Sequence, residues 1–256
     1  MIFKRAVAKL RAQDWTAISI ELSIVILGVF LGTWVADWNE RRSEQRAATG
    51  LILRLRPQLA ALEKAETSER AYYATTRHYG ETALKAWNGD ASINDRDFVV
   101  AAYQASQVNG LPIDSQTFLL AMGADQVRNI EDEALRNAVV QIVTYNFDSL
   151  HVGAMQTAYR QHVREIIPDE IQHTLRQRCH DIQQPGLMTV TLPADCPVQL
   201  DPATASAAAA TLRSHPELRE QLIFHLAQSD TFLGILERFE TRVRTLMELI
   251  ETADRG

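Results

Sequence analysis

The stretch AISIELSIVILGVFLGTWVA, from Ala17 to Ala36, is interrupted only by Glu21 and a few small hydroxyl residues, with Trp15 ahead of it and Trp34 and Trp38 at its far end. A hydrocarbon core about 30 Å thick takes roughly 20 helical residues, and indole rings settle at the headgroup level on both sides. The stretch therefore predicts a membrane-spanning helix over 15–38. The rest of the chain then divides into a basic tail over 1–14 and a helical domain over 39–256.

Beyond Ala36 some 220 residues remain, roughly enough for one substantial core or two small ones. Hydrophobic residues at 46% and charged ones at 23% match globular composition, while 11 Gly and 8 Pro are too few for a loop-rich all-β chain. The fold class expected is all-α: the membrane helix running on into a bundle of long helices, with a small irregular Pro-containing segment around 180–200. Removing Lys4, Arg5, Lys9, Arg11, Asp14 and Glu21 from the totals leaves 22 basic and 30 acidic residues after the span, a net charge of −8. That balance argues against a nucleic-acid partner.

The tail Met1 to Asp14 carries those four basic residues, and Phe3, Val7 and Leu10 fall three and four apart, as in a helix lying on an anionic membrane. The same features suit the n-region of a signal sequence. However, the apolar stretch is longer than a usual signal core, and Trp34 two places before Ala36 breaks the small-residue cleavage pattern, so an uncleaved anchor is expected. Arg41, Arg42 and Arg46 nearly balance the tail, and the remaining bias favours a cytoplasmic N-terminus.

Cys179 and Cys196 bracket a stretch containing Pro185-Gly186 and Pro193, with Pro197 just after it, which reads as an excursion between helices. A disulfide closing a loop of that size stabilises by about 3 kcal/mol in the chain-entropy model and persists only in an oxidising compartment. Two unrelated buried thiols are the other reading. The bridge, together with the charge bias, favours a main domain outside the cytoplasm.

Gly28 and Gly32 form a Gly-x-x-x-Gly pair, which lets two helix backbones approach where lipid gives no hydrophobic drive for association. On a helix Glu21, Val25, Gly28, Gly32 and Val35 share one stripe. The expected partners are thus the lipid bilayer, a second copy of the chain through this helix, and a protein partner of unknown identity. Because a carboxylate facing lipid costs several kcal/mol, Glu21 is expected to be neutral, paired across the interface, or raised towards the headgroups near Trp15. Incidental glycines and a snorkelling Glu21 are the alternative.

The run Glu21-Leu22-Ser23-Ile24-Val25-Ile26-Leu27-Gly28-Val29-Phe30-Leu31-Gly32, followed by Trp38-Asn39-Glu40-Arg41, resembles the N-terminal anchor of an uncharacterised family of single-pass bacterial membrane proteins. Thr117-Phe118, Gly123 and Ile130-Glu131-Asp132-Glu133-Ala134-Leu135-Arg136-Asn137 are similar to that family's aromatic-led helix, Gly-containing turn and acidic helix start. The resemblance implies a bacterial inner-membrane location and a mostly helical exterior domain. It brings no known activity and no catalytic residues, and residues after about 170 take no part in it.

Along the exterior domain, Leu51, Leu55, Leu59, Leu62 and Ala65 repeat at helical intervals, so the span is expected to run on as a long helix, kinked by Pro57 near Arg54 and stopped at Asn88-Gly89-Asp90. Asn94 or Asp95 is expected to cap a helix carrying Phe98, Val99, Ala102 and Tyr103 as far as Asn109-Gly110. Asp114 heads a short helix through Met122, stopped by Gly123. Asn129 with Asp132 opens a longer one reaching Ile166 or Ile167, with Leu135, Val139, Ile142, Phe147, Leu150 and Met155 as its inward stripe. Pro168 suits the first turn of a helix ending near Cys179, and Met188 to Leu192 alternate like a short strand lacking a partner.

Asp201-Pro202 caps an alanine-rich helix, and Ser214 with Glu217 has the spacing of a capping box. From there Leu222, Leu226, Leu233, Leu236, Phe239, Val243, Leu246 and Ile250 keep close to a three-four repeat for about 30 residues. The simplest packing lays this helix antiparallel to the one leaving the membrane; a parallel coiled coil between subunits is the alternative.

Chemistry is sparse. Three histidines fall near carboxylates on helices: Asp148 with His151, His162 with Glu165, and Glu170 with His173. Only the last is the Glu-x-x-His step of di-iron bundles, which need two such steps, so ordinary surface pairs explain them better than a metal site. The chain has no Gly-rich phosphate loop, no Gly-x-Ser-x-Gly elbow and no His-Glu-x-x-His, and no cofactor or enzymatic activity is expected. Tyr72, Tyr73, His78, Tyr79 and Trp87 could line a ligand pocket, although core packing accounts for them more simply. The function expected is an interaction or scaffold role at the membrane. A sensor relaying through a partner comes second, since a tail of about 14 residues offers no output domain, and a carboxylate-histidine metalloenzyme comes third.

Overall fold

The computed structural model describes residues 15–111, 127–150, 156–183 and 190–253. The basic tail, the helix expected from Asp114, His151 and Met155 lie outside them. The described chain is an all-α bundle in which one long apolar helix continues into the body.

That helix, α1, runs from Trp15 to Trp87, 73 residues or about 110 Å. Every residue from Ser19 to Arg46 is exposed, and the apolar part buries none of its side chains in the protein. Burial starts at Ala48 and recurs at Leu51, Leu55, Leu59, Leu62 and Ala65, the rhythm that turns one helical face to a core. The helix continues unbroken through Pro57. Proline removes the bond to the carbonyl of Leu53, and since Pro57 and Leu53 are both exposed, water satisfies it. The stop is at Gly89, whose φ of +84° is open to glycine, with the Asp90 N–H donating back to the Lys85 carbonyl at 3.0 Å.

The last helix, α7 (Pro216–Ala253), lies antiparallel to α1 within the same chain. Three cross-helix contacts set the register: Arg219 Nε to Asn88 Oδ1 at 3.0 Å, Arg77 to Asp230 at 2.6 Å and Arg70 to Glu240 at 2.6 Å. Gly80 allows a close approach, since a Cβ there would sit 2.8 Å from Leu226 Cδ2.

Around this pair stand α2 (Asp95–Gln104), α3 (Glu133–Val143), a 3-10 turn (Phe147–Leu150), α4 (Ala158–Ile166), α5 (Asp169–Arg178) and α6 (Pro202–Arg213). Asn94, Asp132, Thr157 and Asp201 cap α2, α3, α4 and α6 by accepting from a backbone N–H in the first turn. α2 packs between α1 and α6, while α3, the 3-10 turn and α4 pack on α7.

Four expectations need correction. The helix expected from Asn129 to Ile166 breaks after Val143, because Tyr145 and Phe147 leave the helical path to stack on Phe239, with ring centroids 4.7 and 5.6 Å away. Leu135, Val139, Ile142, Phe147 and Leu150 are nevertheless all buried. The helix begun at Asn94 ends at Gln104, five residues short of Asn109. The capping box does not form: Ser214 closes α6 in helical geometry with its hydroxyl donating to the Thr211 carbonyl, and Glu217 turns to His215. Finally, the strand β2 (Val190–Thr191) does have a partner, β1 (Ile182–Gln183), in an antiparallel ladder pairing Ile182 with Thr191.

Candidate functional site

The residues singled out above for helix pairing, Glu21, Gly28 and Gly32, lie together on one side of α1. From Glu21 to Gly28 and from Gly28 to Gly32 the helix turns through nearly whole revolutions, so the three fall within about 40° of each other. All are exposed, and a Cβ added at Gly28 or Gly32 would meet nothing within 4 Å. The face is bare along its whole length.

Inside the body, α1 carries a layer of polar groups through the core. The Tyr72 hydroxyl donates to Asp181 Oδ1 at 3.2 Å, and the Tyr73 hydroxyl donates to the Asn109 carbonyl at 2.5 Å. The Asn109 side-chain amide donates to Glu69, and Tyr79 donates to the Pro193 carbonyl at 2.9 Å. From α4, Arg160 donates to the Ser106 carbonyl, and Arg164 donates to Gln107 Oε1 at 2.9 Å while lying 4.9 Å over the Tyr103 ring. Tyr72, Tyr73 and Tyr79 are core residues with their hydroxyls satisfied, the arrangement that buried tyrosines require.

Glu66 does not fit that pattern. It is 1% exposed, and neither carboxylate oxygen has a hydrogen-bond partner. The nearby guanidiniums of Arg70 and Arg244 both bind Glu240 instead. Burial first, and then the Glu240 charge, push the Glu66 carboxyl up to about 8. One turn on, burial raises Glu69 to about 7 against the opposing Asn109 hydrogen bond. On the facing helix, burial pushes His225 down to about 4, its Nδ1 lying 2.7 Å from Thr157 Oγ1.

Cys179 and Cys196 form a disulfide, Cα to Cα 5.4 Å, joining the end of α5 to the segment before α6. Arg96 of α2 clamps that segment through the carbonyls of Cys196 and Val198, and Gln104 donates to the Cys179 carbonyl at 3.0 Å. Beside it a cleft of about 180 Å³ is lined by His78, Tyr79, Arg96, Asp97 and Asp195. This is below the roughly 300 Å³ at which small-molecule pockets begin.

Two of the three carboxylate-histidine pairs fall among the described residues, and in both the members turn to other partners. Glu165 accepts from Gln161 at 2.9 Å, and His173 contacts Gln177 at 2.8 Å. His162 instead faces α7, where Glu217 and His215 stand close to it. No sequence spacing signalled that grouping, because His162 lies on α4, more than 50 residues from His215 and Glu217 at the start of α7. The chain matches no family model, and no curated protein or solved structure is detectably similar to it.

Proposed function

We propose that the protein is a single-pass membrane protein whose helical body acts by interaction, as a scaffold, adaptor or partner-binding module held at a set height above the bilayer. The observation that carries this reading is the continuity of α1, one helix comprising the apolar stretch, an exposed stalk and the central helix of the body. Between Trp38 and Ala48 the stalk makes a rise of about 15 Å. Only lipid or other transmembrane helices could cover side chains such as Ile24, Val29 and Phe30, each about 60% or more exposed.

In this reading the N-terminus is cytoplasmic and the body periplasmic. The anchor's resemblance to the bacterial single-pass family supports the inner membrane, and the disulfide suits an oxidising compartment. Two chains pair through Gly28 and Gly32, with Glu21 at the same face. Crosslinking in native membranes tests it: Gly28→Ile and Gly32→Ile are expected to reduce dimers, and unchanged crosslinking removes the pairing. Carbonate extraction tests the anchor, and release of the chain from membranes would refute it.

A second reading, a sensor that relays through a partner, is favoured by Glu66 and Glu69, buried carboxyls on the same helix that carries the apolar stretch. Packing changes at that level would reach the membrane with no joint between. Ligand-dependent thermal shifts of residues 40–256 would support it; their absence across periplasmic solutes and pH would dismiss it.

A further inference from the structure

Where α4 meets the first turn of α7, His162, His215 and Glu217 come together although more than 50 residues separate the first from the others. One ring nitrogen of each histidine and one carboxylate oxygen lie within 4.8 Å of one another. Glu217 Oε1 is 2.8 Å from His215 Nδ1 and 3.9 Å from His162 Nε2. Two ligands of a tetrahedral ion with bonds of about 2.0–2.1 Å sit roughly 3.3 Å apart, between those two spacings. Side-chain shifts on the order of 1 Å would therefore close the set around an ion.

Supporting groups are also in place. The other nitrogen of His162, Nδ1, lies 3.3 Å from Gln221 Oε1, one turn along α7. A metal-bound imidazole characteristically gives its spare N–H to such an oxygen, which fixes the tautomer and leaves Nε2 free to ligate. The two imidazoles lean edge to face with centroids 5.7 Å apart. Pro216 fixes the backbone at the start of α7 between His215 and Glu217, while His162 sits mid-way along α4, so the donors stand on or against rigid elements.

We propose that His162, His215 and Glu217 bind a divalent transition-metal ion of the zinc class at the end of the bundle farthest from the membrane helix, with a fourth position open to solvent. Two imidazole nitrogens and one carboxylate suit that ion and poorly suit magnesium or calcium, which take oxygen ligands. Three protein ligands with one open position is the pattern of sites that hold water or an outside donor, as opposed to closed structural sites. The register of α1 on α7 puts Glu217 level with the end of α1, about 75 Å along the helix from Trp38. A bound ion would pin α4 to α7 at that outer tip, where a partner could supply the fourth ligand.

The test titrates zinc into the tag-free full chain in detergent micelles, against a chromophoric chelator. One ion per chain is expected, not displaced by magnesium in large excess. His162→Gln and His215→Gln should each weaken binding about tenfold or more, whereas His173→Gln, at an exposed site on α5, should leave it unchanged. At a given zinc concentration the melting temperature should rise more in the wild type than in either variant. Both variants keep a neutral polar side chain at a partly exposed position, and far-UV circular dichroism checks that they fold. Lack of stoichiometric uptake, or uptake unchanged in both His162→Gln and His215→Gln, would overturn the site, as would equal loss in His173→Gln.

Discussion

Glu66→Gln is expected to make the helical body more stable at neutral and alkaline pH while leaving it near wild type at pH 4. The unfolded chain releases the Glu66 proton near 4.5, whereas the folded chain holds it to about 8. Between those values the folded state binds one more proton, so this group's contribution to stability is complete below 4.5 and falls as pH rises through 8. At about 1.4 kcal/mol per pH unit the loss approaches 5 kcal/mol if the site stays dry. Relaxation and water entry reduce that, and about 2–3 kcal/mol is the working expectation. Glutamine has the same shape and no proton to lose, so it removes the pH-dependent part. Its unsatisfied amide carries a penalty of about 1–2 kcal/mol that does not vary with pH and that the unsatisfied protonated carboxyl of the wild type already carries at pH 4. The slope is therefore the diagnostic quantity. Chemical denaturation of the detergent-solubilised chain, followed by far-UV circular dichroism from pH 4 to 9, measures it for both proteins. A wild-type-minus-variant difference that stays flat across this range would refute the reasoning, because Glu66 would then be ionised and hydrated in the folded state.

His225 gives the acid counterpart. Its folded-state value of about 4 lies below the ordinary 6.5, so its contribution is complete above 6.5 and is lost as pH falls towards 4, by up to about 3 kcal/mol; His225→Phe should flatten the acid limb of the same denaturation series. Reducing the Cys179–Cys196 bridge reopens a loop with a sequence separation of 17 and should cost about 3 kcal/mol, read as a lower denaturation midpoint with dithiothreitol than without, in wild type but not in the Cys179→Ser, Cys196→Ser double variant. Phe239→Ala removes the buried ring on which Tyr145 and Phe147 stack and should cost about 3–5 kcal/mol; a calorimetric loss below about 1 kcal/mol would show that those rings do not hold α3 and the 3-10 turn against α7.

What the chain announces locally it announces clearly. The apolar run, the leucine rhythm from Leu51 to Ala65, the stop at Gly89 and the caps at Asn94 and Asp201 each depend on neighbours within a turn or two, and each is present. The antiparallel pairing of the two long helices follows from their matched apolar stripes. Where a distant residue decides the outcome, local pattern misleads. Nothing near Val143 ends its helix; Phe239, nearly a hundred residues later, draws Tyr145 and Phe147 out of it. Ser214 and Glu217 have capping-box spacing, but Ser214 is occupied as the close of α6 and Glu217 by His215. The grouping of His162 with His215 and Glu217 and the isolation of Glu66 are likewise products of packing between helices. Composition can register a glutamate on a leucine-rich helix, but not that both nearby arginines are committed to Glu240.

The stalk links these observations physically. Residues 37–46 are helical yet touch no core, and a helix that short is marginal alone because its first turn costs more than it returns. Here it needs no nucleus of its own, since helix is already imposed by the apolar stretch on one side and by burial from Ala48 on the other. Local help is modest: Arg42 lies 5.3 Å over the Trp38 ring, and Gln45 donates to Glu131 at 2.7 Å where the body begins. The stalk's order is therefore borrowed from both ends. A loosening of α1 against α7, such as ionising Glu66 would bring, weakens the upper support first. In a bilayer the same helix would then carry changes in the body's packing down to the Gly28 and Gly32 face. That coupling requires no contact between the two levels beyond the backbone hydrogen bonds of α1 itself.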